Sequence, residues 1–185
     1  MSTIAIKYND EVVDLVTAEA RGIEGEEIEL DNSPESLDVL RHSTAHLMAQ
    51  AVKSLYPDAK FYVGPTVKEG FYYDFKTESE IGEGDLKKIE KQMLSFAKKK
   101  YKIEKYEISM DEAKEKFADD HLKLAVMDRI PDDRVSIYKQ GEFEDLCRGP
   151  HLPSIGLIRY FKLTKIAGAY LGGDSKNEML TRIYG

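Results

Sequence analysis

Ser33-Pro34-Glu-Ser-Leu37-Asp-Val-Leu40-Arg41-His42-Ser-Thr-Ala-His46-Leu-Met48-Ala-Gln-Ala51-Val-Lys53-Ser-Leu55-Tyr56-Pro57 reads as one long helix. Ser33 suits the N-cap and Pro34 the first helical position, where a missing N–H costs nothing. Pro57 stops the helix by disfavouring helical geometry at Tyr56. On a 3.6-residue wheel Leu37, Leu40, Met48, Ala51 and Leu55 share one apolar stripe, whereas His42 and His46 fall away from its centre beside Ala49 and Lys53. Two imidazoles four residues apart share a helix face. The helix therefore has a core side and a histidine side, and the latter is either an exposed pair or half of a site.

The other half is Asp145-Leu-Cys147-Arg148-Gly149-Pro150-His151, about a hundred residues later. Val135 to Tyr138 and Glu142 to Cys147 predict a hairpin around Gln140-Gly141, in which period-two alternation sends Asp145 and Cys147 to one face. Gly149-Pro150 then turns the chain and projects His151.

Around these two clusters the chain alternates irregularly. Asn9-Asp10 is a turn signal between two short strands within residues 4–16, and the acidic run to Asn32 is an ordered strand or a mobile lead-in. Lys60 to Phe75 predicts an aromatic hairpin with Phe71, Tyr73 and Phe75 on one face. Asp85 opens a helix through about Lys100 with Leu86, Ile89, Met93, Phe96 and Ala97 at core spacing. Tyr101 to Ile108 follows as a strand, Ser109 with Glu112 as a capping box for a helix to about Ala118, and Leu122 to Ile130 as a shorter helix. Leu157 to Lys165 predicts a strand bearing Arg159 and Lys162, followed by a glycine-rich stretch. This order favours an α+β fold, antiparallel sheets with helices flanking a central cleft, over a doubly wound parallel sheet. No internal repeat and no phosphate-binding glycine motif is present.

The net charge of −7 is unevenly spread. Residues 1–40 carry eleven acids against Lys7 and Arg21, a net of −9, whereas residues 147–185 carry six bases against Asp174 and Glu178, a net of +4. The middle is left at −2, so the basic part lies beside the second cluster and permits phosphate contacts. Cys147 is the sole cysteine and cannot close an intramolecular disulfide. With no apolar run near the roughly 18 residues of a membrane span and no signal pattern, a cytoplasmic location with no membrane partner is expected.

His42, His46, Cys147 and His151 together support three chemistries. They could bind zinc, since imidazole and thiolate are its preferred ligands. They could activate water without metal, as histidine titrates near working pH. Cys147 could also act as a nucleophile with a histidine base oriented by Asp145. A structural zinc domain or an RNA-binding module is the non-enzymatic alternative.

The wording around the clusters closely resembles the editing domain of bacterial threonyl-tRNA synthetases. Arg41-His42-Ser-Thr-Ala-His46-Leu, Gly64-Pro65, Gly70-Phe-Tyr-Tyr73-Asp, Asp145-Leu-Cys147-Arg148-Gly-Pro-His151, Gly168-Ala-Tyr170 and Arg182-Ile-Tyr-Gly185 carry that resemblance in one order, over about residues 36–185. Alanyl-tRNA synthetases and their freestanding relatives share the two histidine elements. The resemblance divides the chain into a short strand or lead-in segment, 1–35, as the remnant of a ubiquitin-like domain, and an editing domain, 36–185.

The resemblance implies hydrolysis of seryl-tRNA(Thr) by water attack on the aminoacyl ester. The partner is then the acceptor end of tRNA(Thr) carrying serine, and, if the chain is a fragment, the catalytic domain of the synthetase. His42 and His46 would handle water, Cys147 and His151 would complete the wall, and Lys123 matches a lysine of the family's site. Asp145 would hold the substrate amino group, Tyr73 would contact the terminal nucleotide, and Arg148 would bind substrate. No cofactor is required in this branch, and zinc on His42, His46, Cys147 and His151 is the minority alternative. Two departures stand out: the segment before the helix is short for a ubiquitin-like domain, and Tyr170-Leu-Gly-Gly-Asp174 replaces the Tyr-Trp-Arg-Gly-Asp of many relatives. The absence of a class II Gly-x-Gly-x-Gly motif predicts that this polypeptide neither binds ATP nor charges tRNA.

Overall fold

The computed structural model describes residues 2–185. Its axis is helix α2, Pro34–Leu55, capped by Ser33 through a bond from Ser36 N–H and ended at Tyr56. Every residue from Ser43 to Val52 on this helix is buried, so the two-sided prediction needs correction: the histidine side is neither exposed nor a lesser face. One flank packs on helix α3, Leu86–Lys98, and strand β6, Gly70–Lys76, and the other on strand β9, Phe143–Leu146. A helix covered from several directions carries no single stripe, and its small residues Ser43, Ala45, Ala49 and Ala51 are what allow neighbours to approach closely.

The N-terminal residues form a layer of their own. Strands β1, Thr3–Tyr8, β2, Glu11–Asp14, and β3, Glu26–Glu29, pair in the order β2-β1-β3, with helix α1, Leu15–Arg21, between β2 and β3. Asn9 and Asp10, both at positive φ, make the two-residue turn that the right-handed twist of a hairpin favours. Ile4, Ala5 and Ile28 join the core cluster of α2, so this small sheet is folded onto the rest, and the acidic run before Asn32 holds an ordered strand, β3.

Beyond α2 come β4, Lys60–Phe61, β5, Thr66–Val67, and β6. Strand β6 is central in a second sheet, order β10-β11-β6-β4 with β5 also on β6, where β10 is Lys165–Tyr170 and β11 is Met179–Tyr184. Phe71, Tyr73 and Phe75 face the core, and on the other face Asp74 pairs across the ladder with Arg182 at 2.7 and 2.8 Å. The predicted strand from Leu157 to Lys165 is absent: Ile155–Leu157 is a 3-10 turn and the chain runs irregularly to β10. Ile155, Ile158 and Leu163 are the buried anchors there, and their spacing of three and five cannot put them on one face of a strand.

A third sheet, β7-β8-β9, joins Glu104–Ser109, Arg134–Gln140 and β9. Helix α4, Met110–Lys116, opens on the predicted capping box, with Ser109 and Glu112 bonded reciprocally at 2.9 and 3.1 Å. Helix α5, His121–Met127, is capped by Asp120. The fold is thus α+β with antiparallel pairing throughout. No helix among the described residues is long and apolar enough to cross a membrane.

Candidate active site

Helix α2 and the loop after β9 bring His42, His46, Cys147 and His151 together, with one donor atom from each lying within 4.8 Å of the others. The β8–β9 hairpin makes this possible. Gly141, at positive φ, closes its turn, and Cys147 N–H extends the ladder to Ser136 O at 3.2 Å before the loop breaks away. Gln50 of α2 and Gln140 of β8 exchange buried bonds at 2.8 and 3.2 Å, fastening the hairpin to the helix.

The hydrogen bonds fix the protonation of three members. Ser43 Oγ accepts from Leu152 N–H at 2.9 Å, so its own hydrogen is free to donate to His151 Nδ1 at 3.0 Å. His151 then carries its proton on Nε2, directed at Cys147 Sγ 3.3 Å away. Burial, reinforced by the neighbouring His42 and His46, lowers its pKa to about 3, and it stays neutral. His42 Nδ1 faces the Pro150 carbonyl at 3.1 Å and must donate, while Nε2 lies 3.2 Å from the sulfur. Burial disfavours charge on that ring, but the Cys147 charge and bond and the Pro150 carbonyl outweigh it and raise its pKa to about 9. Cys147 is the complement: burial opposes ionisation, yet the three imidazoles bring its pKa well below the ordinary thiol value. Gly149 N–H adds a third donor to the sulfur at 3.4 Å. The site is an imidazolium–thiolate pair beside a neutral, stacked imidazole, with the His42 and His151 centroids 4.1 Å apart.

A second group lies behind the first. Asp145, buried, pairs with the buried Lys123 ammonium at 2.6 Å and accepts a short hydrogen bond from Tyr73 OH. Lys123 also reaches the Tyr62 carbonyl at 3.2 Å and Tyr73 OH at 3.4 Å, which uses all three of its donors. Burial and the Asp145 charge push the Tyr73 phenol well above its ordinary pKa, keeping it a donor. His46 Nε2 is 3.7 Å from Asp145 Oδ2, outside hydrogen-bond range.

Seven of the eight sequence-derived candidates therefore converge. Arg148 does not, since its side chain is 81% exposed near Asp132. It stands on the rim of a cavity of about 450 Å³, lined also by Tyr62, Arg129, Arg134, Ser136 and Cys147. A larger cavity of about 650 Å³ borders Lys123 and Asp145 from the other side but touches neither Cys147 nor the histidine rings. Sequence reasoning missed Ser43, Tyr138 and Asp14. Ser43 could have been suspected from its place between the histidines. Asp14, 137 residues from the loop it touches, left no signal.

Residues 135–184 match the family described as "Threonyl and Alanyl tRNA synthetase second additional domain", a segment that holds Asp145, Cys147 and His151 but not the helix histidines. Over 183 residues the chain is 67% identical to a threonine–tRNA ligase of Nautilia profundicola, covering 98% of this chain and 30% of that protein. A threonine–tRNA ligase of a Sulfurovum species is 62% identical over 187 residues, 100% of this chain and 31% of that protein. One from Campylobacter jejuni is 61% identical over 182 residues, 98% and 30% respectively. The chain spans about 30% of the length of these relatives.

Proposed function

We infer that this chain, which carries the second additional domain of threonyl and alanyl tRNA synthetases, is the editing region of a threonyl-tRNA synthetase and hydrolyses the ester of seryl-tRNA(Thr). The observation that carries the reading is the four-residue His/His/Cys/His cluster beside a cavity rimmed by arginines. The chemistry gives it a purpose, because a site that accepts threonine cannot strongly exclude serine, one methyl smaller. In a longer protein of the kind its relatives are, the region would act beside an aminoacylation domain.

Hydrolysis needs water to attack the aminoacyl carbonyl and the bond to the ribose oxygen to break, the water proton ending on the released ribose hydroxyl. Both N–H groups of His42 are committed as donors, so it sustains the charged sulfur and cannot take a proton from water. His46 is the ring left to accept that proton. Asp145, its carboxylate held in place by Lys123 and Tyr73, would balance the charge formed there. Three donors on Cys147 blunt the sulfur as a nucleophile, which favours attack by water over an acyl-enzyme. The cavity at Cys147 suits the terminal nucleotide better than the larger one, which lacks contact with the cluster.

The test is single-turnover deacylation of seryl-tRNA(Thr). His46→Ala should lower the rate about 100-fold or more, with folding checked by circular dichroism; an unchanged rate removes His46 as the base.

A second reading is favoured by the donor set itself. Four soft or borderline donors this close suit tetrahedral zinc, and His42 is braced on its far nitrogen by the Pro150 carbonyl as a bound imidazole requires. Zinc held there would supply a Lewis acid for water or carbonyl. Elemental analysis separates the two readings: the metal-free one expects no stoichiometric zinc and full activity in chelator, and one zinc per chain with activity lost on chelation overturns it.

A further inference from the structure

We propose that Asp14, contributed by the N-terminal sheet, is a positioning residue for the site, holding His151 against Cys147. In its kinetic consequence this rests on the editing reading; in its geometry it does not.

Asp14 caps α1, and one oxygen suffices for that: Oδ1 accepts from Thr17 N–H at 3.0 Å and from Thr17 Oγ1 at 2.5 Å. The other oxygen is turned away from the helix. Oδ2 accepts from Tyr138 OH at 2.5 Å and from the His151 backbone N–H at 3.1 Å. The residue is only 2% exposed, so these bonds are made without competition from water. Burial works against its charge, but the four donors hold its carboxyl below the usual range, and each bond is charge-assisted.

The loop is folded over this carboxylate. Gly149, at φ +77°, passes so near that a Cβ would sit 2.9 Å from Asp14 Oδ2 and collide with Tyr138 OH. With its hydroxyl fixed, the Tyr138 ring stands edge-on to the His151 ring, centroids 4.6 Å apart. A single carboxylate thus holds His151 twice, through its own backbone and through the ring against its side chain. His151 carries that restraint on to Cys147 at 3.3 Å and to the stacked His42. No other residue of α1 or of the N-terminal sheet is bonded to this loop in the same way, so the sheet's contribution is concentrated in one side chain.

Asp14→Asn isolates the claim, since asparagine caps helices as well as aspartate but offers one acceptor oxygen where Asp14 uses two. Thr17→Val is the control: it removes the Oγ1 bond to Asp14 Oδ1 and the Lys105 bond to that hydroxyl, while both Oδ2 bonds to Tyr138 and His151 stay in place. Two readouts are needed, steady-state deacylation of seryl-tRNA(Thr) and the rate at which iodoacetamide alkylates Cys147, the sole cysteine. For Asp14→Asn we expect kcat to fall about tenfold or more with KM within about twofold, and alkylation to quicken at least threefold as the loop over the sulfur loosens. Thr17→Val should lower the melting temperature while kcat and alkylation stay as in the unmodified chain. Tyr138→Phe, which removes the bond from the other side, should reproduce part of the loss and add little to Asp14→Asn. Unaltered alkylation in Asp14→Asn overturns the proposal, as does an unaltered kcat, or losses shared equally by Thr17→Val. If the unmodified chain fails to deacylate, the editing reading falls, and the alkylation comparison still decides the role of Asp14.

Discussion

His42 and Cys147 hold each other charged, and this has measurable consequences. The His42 ring should titrate near 9 by NMR, and Cys147→Ser should return it towards the ordinary 6.5; a wild-type ring that titrates near 6.5 contradicts the ion pair. The effect on stability depends on sign. His42 is raised, so its share is complete below 6.5 and is lost as pH climbs to about 9. Cys147 is lowered, so its share is complete above its ordinary 9.0 and shrinks as pH falls. Between 6.5 and 9 native His42 keeps a proton that unfolded His42 sheds, and native Cys147 lacks one that the unfolded thiol keeps, so the two slopes cancel. Below 6.5 His151, lowered to about 3, acts in the same direction as Cys147. Unfolding free energy from urea titrations should therefore be nearly flat from pH 6.5 to 9 as far as this cluster is concerned. It should fall on acidification from 6.5 towards 3, by up to about 1.4 kcal/mol per pH unit for each proton involved. His151→Asn should remove the His151 share of that acid limb and leave the Cys147 share.

At the scale of elements, the site exists because α2 and the β8–β9 hairpin are locked together, and Gln50 with Gln140 is the lock. Gln140→Leu would leave the buried Gln50 Oε1 without its donor while Gln50 Nε2 keeps its bond to the backbone carbonyl of residue 140, so it should destabilise the chain by about 1–3 kcal/mol in denaturant melts; a change below about 0.5 kcal/mol would show that the side-chain bond adds nothing to the backbone bond and the packing. The elements themselves were largely legible. Ser33-Pro34 and Pro57 bounded α2, Ser109 with Glu112 opened α4, and Gln140-Gly141 marked the hairpin, because each is a local backbone signal. The burial of His46 beside a half-buried His42 was not legible, since a wheel shows one helix and α2 is enclosed by its neighbours. Leu157 to Lys165 misled for a related reason: its apolar residues anchor an irregular crossing to a core built elsewhere, and only tertiary placement distinguishes that from a strand.

For the whole molecule, the net charge hides a local basic cluster. Arg129, Arg134 and Arg148 gather at the cavity beside Cys147, although the chain as a whole carries −7. Arg148→Ala should raise KM for seryl-tRNA(Thr) severalfold with little change in kcat, and should reduce the salt dependence of tRNA binding by about one charge. Unchanged salt dependence would take Arg148 out of contact with phosphate. The N-terminal sheet changed most between sequence and structure: its strands were visible in the turn at Asn9-Asp10, but nothing local could reveal that Asp14 reaches His151. The His42, His46, Cys147 and His151 set was legible because paired chemistry at helical and turn spacing is itself a signal, whereas Tyr73 and Lys123 were reached through the resemblance in the surrounding wording alone. The measurement that bears most directly on the account is deacylation by the purified chain of tRNA(Thr) charged in parallel with serine and with threonine. The account predicts rapid release of serine and a threonine ester that survives at the rate of spontaneous hydrolysis, whereas equal rates for the two esters, or no release of serine above background, would contradict it.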